Sequence, residues 1–307
     1  MEVIKEIGLS KYPNIISYES SKKILEQMEK NICLIKSEKE IGTGFFCKIP
    51  LSNNEKILQL LITNSHTINK DIINKKDAKI NIRIEEDKCE KIIDLNDRTK
   101  YINEIYGITI IELKERDNIQ NFLELDERII HNIITNENLN KDYIDKTIYM
   151  IQYPEGKLSV SYSIIEGIFE NNKYSFIHKC NASNGSSGSP ILNINNKIVG
   201  MHKAGYLNKY NIGTFLNYPI KEFLEQYCNK SQLNIVIDTT SNGVDTKRIV
   251  APIETAKTNE AFNINYINNI NIHNNTNTNN QNDFIKSTEL RLPANLQDIS
   301  FDEPKNE

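Results

Sequence analysis

The chain has 307 residues, of which 38% are hydrophobic and 25% are charged, and its formal net charge is −4. This composition is ordinary for a soluble globular protein, and the slightly acidic balance gives no electrostatic reason to expect nucleic-acid binding. No apolar run approaches the length of a bilayer span, and residues 1–6 lack the basic and apolar pattern of a signal peptide. We therefore expect a cytoplasmic protein with no membrane partner and no nucleic-acid partner.

The cysteines give no sign of a disulfide framework or of a metal site. They are odd in number, widely spaced and without metal-ligand spacing. We expect buried free thiols at Cys33, Cys47, Cys89, Cys180 and Cys228.

In chain order, the first predicted element is a short helix over residues 21–30, because Ile24, Leu25 and Met28 share one face at helical spacing. From Cys33 the pattern changes to short apolar runs separated by polar turns, which predicts an all-β barrel or sandwich. The predicted strands are residues 41–49, 57–63, 80–84, 108–113, 148–153, 160–165, 174–178, 191–194, 197–202 and 212–216.

The last predicted element is an amphipathic helix over residues 219–227, with a proline in its first turn. Beyond about residue 231 the composition changes, and asparagine dominates residues 263–282. Such a segment has too little apolar surface to offset the entropy of ordering it, which predicts a flexible tail.

One turn between two predicted strands combines serine with glycine, in the hexapeptide Gly-Ser-Ser-Gly-Ser-Pro at residues 185–190. Glycine at Gly185 and Gly188 permits backbone dihedrals that direct consecutive N–H groups into one hollow. Such a hollow suits an oxyanion, and a hydroxyl beside it is a candidate nucleophile. Turns of this composition are also common as loops without any catalytic role.

A second candidate is His66, which follows an apolar run through the residues Thr63, Asn64 and Ser65. A strand that ends in this way delivers a histidine to the edge of a sheet, where it can serve as a general base. A lone turn histidine with no function is the alternative.

Together, these motifs resemble those of the chymotrypsin-like (trypsin-fold) serine peptidases. In that family Thr-x-x-His supplies the base and Gly-x-Ser-Gly-[Gly/Ser]-Pro supplies the nucleophile. The residues Gly-Thr-Gly-Phe-Phe at 42–46 are similar to the strand that precedes the histidine in bacterial members. Residues 197–205, with Gly200 and His202, resemble a strand of the glutamyl endopeptidases that forms a wall of the substrate pocket.

The resemblance implies an all-β fold of two six-stranded antiparallel barrels with short N-terminal and C-terminal helices. It places the barrels at about residues 32–130 and 140–218 and a closing helix at 219–228, so that the peptidase domain spans 32–230. Residues 1–31 form an N-terminal segment with a short helix, and residues 231–307 form the asparagine-rich tail.

The resemblance also implies a reaction and the residues that perform it. Ser187 is the nucleophile, His66 is the general base, and the N–H groups of Gly185 and Ser187 form the oxyanion hole. The reaction is peptide-bond hydrolysis of a peptide or protein substrate and needs no cofactor.

The third member of the triad departs from the family pattern, because Gly107 stands where an aspartate normally opens the strand over residues 108–112. Three interpretations remain. Another acid serves, with Glu104 nearest in sequence and Asp117 more distant; the enzyme uses a Ser-His dyad; or the chain is an inactive member that binds extended peptides by strand addition. Glu104 can equally be a solvated turn residue.

The resemblance further bears on substrate preference. Asn181 stands where members that cleave after lysine or arginine carry an acid, so that preference is not expected. His202 matches the histidine that glutamyl endopeptidases use against a substrate carboxylate, which implies an acidic residue before the scissile bond. Ala182 stands where that subgroup has a hydroxyl residue, so one hydrogen bond to the substrate is missing. Alternatively, His202 is a structural histidine bonded to a backbone carbonyl.

Overall fold

The computed structural model describes residues 11–37, 40–51, 56–86, 88, 90–169, 171–206 and 209–231. The helices in this part of the chain are α1 (Tyr18–Lys30), α2 (Lys70–Asn74), α3 (Glu127–Thr135) and α4 (Asn217–Ser231). The strands are β1 (Ile32–Lys36), β2 (Ile41–Leu51), β3 (Lys56–Asn64), β4 (Lys79–Arg83), β5 (Glu90–Asp94), β6 (Lys100–Asn103), β7 (Ile108–Glu112), β8 (Leu123–Glu124), β9 (Thr147–Gln152), β10 (Ser159–Phe169), β11 (Asn172–His178), β12 (Pro190–Asn193), β13 (Ile198–Tyr206) and β14 (Tyr210–Phe215). The predicted tail lies outside the described residues, apart from Ser231.

The all-β fold class is confirmed, with β-strands forming two sheets. The second sheet is a closed barrel in the order β10-β11-β14-β13-β12-β9, as expected. The first sheet has eight strands in the order β5-β4-β1-β2-β3-β7-β6, with β8 parallel to β2.

The first sheet differs from the expected six-stranded barrel because its edge strands β5 and β6 do not pair in the described part of the chain. The segment that joins them uses its polar groups elsewhere. Leu95 N donates to Ala78 O, and the buried guanidinium of Arg98 forms two hydrogen bonds with Asp117, of 2.7 and 3.1 Å. The first sheet is therefore a half-barrel, and a buried ion pair holds the segment between its two edge strands.

The two sheets share one hydrophobic core. Phe45 and Leu60 of the first sheet belong to the same buried cluster as Phe176 and Phe215 of the second barrel. The two sheets therefore cannot move apart without exposing this core, so residues contributed from both sheets are held in fixed relative positions.

The two terminal helices are longer than predicted. Helix α1 begins at Tyr18 because the Ser17 side chain accepts a hydrogen bond from Ser20 N, which caps the helix. Helix α4 begins at Asn217 and packs Phe223 into the core, so it closes the second barrel as expected. Within the described ranges, no helix combines the length and apolarity needed to cross a lipid bilayer.

Candidate active site

The turn that carries Ser187 is one that only glycine can form at two positions. Gly185 and Gly188 have φ angles of +95° and +88°. A Cβ atom on Gly185 would lie 2.4 Å from Tyr153 O, and a Cβ atom on Gly188 would lie 2.2 Å from Thr43 O. The glycines thus permit a tight, left-handed turn pressed against neighbouring backbone, with Ser187 at its tip.

Hydrogen bonds engage the carbonyl groups of this turn. Thr43 Oγ1 donates to Gly185 O at 2.8 Å, and Thr43 N donates to Ser187 O at 2.9 Å. Glu155 N donates to Asn184 O at 2.6 Å. By contrast, the N–H groups of Gly185 and Ser187 have no acceptor among the described residues. Two neighbouring donors are therefore available to a ligand, as an oxyanion hole requires.

The end of β3 brings the His66 segment against the Ser187 turn. Strand β3 pairs with β2 through Thr63 and Gly44, and Thr63 Oγ1 donates to Thr43 O at 2.8 Å. A Cβ atom on Gly188 would lie only 2.9 Å from Asn64 N. The predicted nucleophile and the predicted base thus lie on two segments in direct contact.

The His66 turn is held by hydrogen bonds to its main chain. His66 N donates to Asn64 Oδ1 at 3.1 Å, and Ser65 N donates to Gly107 O at 3.0 Å. The imidazole of His66 is exposed, and neither it nor Ser187 Oγ has a hydrogen-bond partner among the described residues. Catalytic hydrogen bonds are often long without substrate, so this geometry does not exclude a nucleophile and base.

Partial desolvation by the surrounding residues lowers the pKa of His66, while the negative charge of Glu40 acts in the opposite direction. Glu40 comes directly before β2, and sequence reasoning missed its proximity. The neutral imidazole, which is the form that accepts a proton, is thereby favoured at neutral pH.

The structure pairs both candidate third members with basic side chains. Glu104 is exposed, and its carboxylate lies 3.0 Å from Lys70 Nζ. Asp117 is buried in the ion pair with Arg98 described above, so its carboxylate is already engaged. In the described part of the chain, no carboxylate forms a hydrogen bond with the His66 ring. The role of Glu104 as third member therefore stays a prediction.

His202 is 3% exposed, and its Nδ1 atom lies 3.3 Å from Nε2 of His178. Burial, followed by the charge of His66, lowers the pKa of His202 to about 4. Burial and the charge of His202 also hold the pKa of His178 well below its usual range. His202 is thus bonded to a second histidine rather than to a carbonyl. Sequence reasoning missed His178, because nothing in its local pattern on β11 links it to β13.

The other predicted pocket residues have different environments. Asn181 is exposed, and its carbonyl accepts hydrogen bonds from Gln152 Nε2 and Ser161 Oγ at 2.8 and 3.1 Å. Ala182 is half-buried against the core. Gly200 is buried, and a Cβ atom there would lie 2.6 Å from the ring of Phe176, so this glycine packs inside the second barrel.

Known proteins to which this chain is similar include the following three. A glutamyl endopeptidase of Staphylococcus aureus (strain MRSA252) is 36% identical over 58 residues, which is 19% of this chain and 16% of that relative's length. The serine endoprotease from Yersinia pestis has a TM-score of 0.47 at 12% identity, over 73% of this chain and 70% of that chain. A human pathogenic astrovirus serine protease has a TM-score of 0.41 at 16% identity, over 60% of this chain and 88% of that chain.

The family model described as a trypsin-like peptidase domain matches residues 42–201, a little over half of the chain. This match contains both the His66 turn and the Ser187 turn, together with the strands that bring them into contact. The chain therefore belongs to the trypsin-like peptidase family.

Proposed function

We propose that this peptidase domain is an active serine endopeptidase that works through an acyl-enzyme. Ser187 Oγ attacks the carbonyl carbon of the scissile bond, and His66 takes the proton and returns it to the leaving amine. Water then attacks the acyl-enzyme and releases the carboxylic acid product. The N–H groups of Gly185 and Ser187 stabilise the oxyanion in both steps.

The observation that carries this proposal is the Ser187 turn, in which nearby carbonyls are engaged and two neighbouring N–H groups are left over. A hollow held in this way before substrate binds need not reorganise when charge develops on the oxyanion. Each such donor contributes about 2.7–4 kcal/mol to transition-state stabilisation in comparable sites.

The missing carboxylate lowers the expected rate without removing the chemistry. An Asp→Asn change in a complete triad reduces turnover by about 10⁴-fold. The oxyanion hole and substrate binding account for much of the rate acceleration that remains. We therefore expect a slow enzyme, whose activity depends on how well His66 is oriented by other groups.

For the substrate, we propose an acidic residue before the scissile bond. Because burial keeps both histidines neutral, His178 Nε2–H can donate to His202 Nδ1, which leaves the proton of His202 on Nε2. That N–H group can donate to a substrate carboxylate, and the carboxylate would in turn favour protonation of His202. The four described cysteines are free and buried, which supports our proposal that the reaction takes place in the cytoplasm.

One observation favours a second candidate, an inactive peptide-binding module. No described carboxylate forms a hydrogen bond with the His66 ring, and the position of the usual acid is covered by the side chain of Lys203. In that case extended peptides would bind by strand addition and would not be cleaved.

Peptides that differ only in glutamate, glutamine or lysine before one bond separate these candidates. We expect wild type to cleave the glutamate peptide at least about 10-fold faster than the glutamine peptide, as expected for a charge-assisted contact. Ser187→Ala should abolish cleavage. Ser183→Ala, an exposed serine of the same turn region, is the matched control and should cleave normally. Binding of the peptides without cleavage by folded wild type would favour the module.

A further inference from the structure

The space in front of Gly107 is filled by a side chain from the second barrel. Gly107 is buried and has a φ angle of +70°. A Cβ atom built on it would lie 3.0 Å from both Cγ and Cε of Lys203 and 3.2 Å from Cδ. An aspartate at position 107 would be strained by this left-handed backbone conformation, and the aliphatic stem of Lys203 would have to shift by a few tenths of an ångström to admit its Cβ atom.

Lys203 also contacts two first-sheet turns through its polar groups. Its Nζ atom donates a hydrogen bond to Ile105 O at 2.6 Å, in the turn between β6 and β7. Its main-chain carbonyl accepts a hydrogen bond from Asn64 Nδ2 at 2.9 Å. A single residue of β13 therefore connects the turn that contains Gly107 with the turn that contains His66.

Asn64 transmits this connection to His66. Its Nδ2 atom is held by Lys203, and its Oδ1 atom accepts the hydrogen bond from His66 N. The ring of contacts closes through Ser65 N, which donates to Gly107 O. The backbone of His66 is thus fixed relative to the second barrel, which carries Ser187, by contacts that converge on Lys203.

We propose that Lys203 is a positioning residue that replaces the structural part of the missing carboxylate, by covering Gly107 and fixing the His66 turn against the second barrel. This inference rests on the proposed function. An ammonium group disfavours a nearby imidazolium, so Lys203 cannot supply the electrostatic part of the acid's role. Gly107 and Lys203 are consequently a coupled pair, and an acid at position 107 can reach His66 only after Lys203 is shortened.

A double-mutant cycle with Gly107→Asp, Lys203→Ala and the combined variant tests this coupling. Two quantities are measured. The first is the rate of fluorophosphonate labelling as a function of probe concentration. The second is the pKa of His66, which is monitored by NMR, with His66→Ala used to assign the signal. Glu40 and His202, the described groups whose charges interact with His66, are unchanged throughout. Lys70→Ala, which removes an exposed lysine paired with Glu104, is the matched control and should label like wild type.

Lys203→Ala keeps the main-chain bond to Asn64 but loses the bond to Ile105 O and the stem that covers Gly107. It should lower the maximal labelling rate about 10-fold, with little change in the half-saturating concentration, because the Gly107 turn that supports Ser65 is loosened and probe binding is kept. Gly107→Asp alone should give no gain in rate. In the combined variant the freed carboxylate should raise the His66 pKa by about one unit or more and label at least about 10-fold faster than Lys203→Ala. If Lys203→Ala fails to fold, Lys203→Met keeps the stem, and it should still label more slowly because it loses the bond to Ile105 O.

The inference is overturned if Gly107→Asp alone raises the His66 pKa as much as the combined variant does, or if folded Lys203 variants label like wild type. Failure of the proposed function has a different signature, since folded wild type would then not be labelled at all. In that case the pKa of His66 still tests the inference about Lys203. It shows whether an acid at position 107 reaches the imidazole only when Lys203 is shortened.

Discussion

The turn that carries Ser187 and the turn that carries His66 are held in place by different kinds of contact. Around Ser187 the contacts involve main chain, with Gly185 and Gly188 pressed against backbone atoms and Thr43 bonded to two carbonyls of the turn. Around His66 the link to the second barrel runs through the side chains of Asn64 and Lys203. Backbone contacts tolerate almost no change, whereas side-chain contacts can be altered one at a time.

The same difference extends to the turn between β6 and β7, which lies beside His66. Side chains from the second barrel and from α4 hold this turn: Thr214 Oγ1 donates to Tyr106 O at 2.8 Å, and Glu222 accepts hydrogen bonds from the phenols of Tyr101 and Tyr106, both at 2.6 Å. The Ser187 turn is therefore built into the closed barrel, and the His66 turn is attached to it by side chains. Variants should affect the two turns unequally.

The largest expected effect comes from Gly188→Ala, at the point where the two turns touch. The new Cβ atom would clash with Thr43 O, Thr63 Oγ1 and Asn64 N, in a backbone conformation that alanine disfavours. We expect a loss of about 2–4 kcal/mol in the free energy of unfolding, measured by denaturant titration, together with loss of labelling. Gly205→Ala is the control, because a Cβ atom there meets only Asn211 Oδ1 at 3.3 Å. Similar stability of the two variants would contradict the assigned role of backbone contacts.

A smaller effect is expected from Glu222→Ala, which acts on the attachment of the His66 turn alone. Two phenols lose their acceptor, so the free energy of unfolding should fall by about 1–2 kcal/mol. Labelling should slow while the Ser187 turn remains intact. Glu225→Ala, an exposed glutamate on the same helix, is the control. Unchanged labelling in a destabilised Glu222 variant would show that α4 does not support the His66 turn.

Glu104→Gln tests the prediction that Glu104 is the third member. If Glu104 oriented His66, the rate of peptide hydrolysis should fall by about 10⁴-fold. Because the carboxylate is exposed and paired with Lys70, we expect a change in stability below about 1 kcal/mol and little change in rate. A loss of most activity would restore Glu104 as the acid.

The smallest effect concerns the pH dependence of labelling. The neutral imidazole is the base, so the rate rises as the pH increases through the pKa of His66. Burial lowers this pKa, so the midpoint should lie below the ordinary value of about 6.5. Glu40→Gln removes a charge that raises the pKa, so it should move the midpoint further down, and by less in high salt because salt screens this charge. A midpoint that moves upward would contradict this electrostatic assignment.

Local sequence patterns predicted most of the apolar strands and the two motifs whose residues are consecutive. They missed β1, although it is apolar and buried, and they missed β5 and β6, which mix charged and apolar residues and have one open face each. Closure of the first barrel was implied by the family resemblance, and it depends on whether β5 and β6 meet and not on the pattern of either strand.

Sequence alone identified candidate site residues where one short segment carries the motif, as for Ser187 and His66, whose catalytic roles stay predictions. It could not predict contacts between distant segments. His178 and His202 are 24 residues apart, and Lys203 reaches Ile105 across 98 residues. Nothing in the local sequence indicates that the glycine at position 107 and a lysine on β13 share one space, because only the packing of the two sheets brings them together.

The central claim, that Ser187 is an activated nucleophile, is tested most directly by intact-mass analysis after treatment with a fluorophosphonate. The account predicts one covalent adduct per chain, mapped to Ser187 and absent from Ser187→Ala and His66→Ala, whereas His131→Ala labels normally. A correctly folded wild-type protein that forms no adduct, or forms it at another serine, would contradict the account.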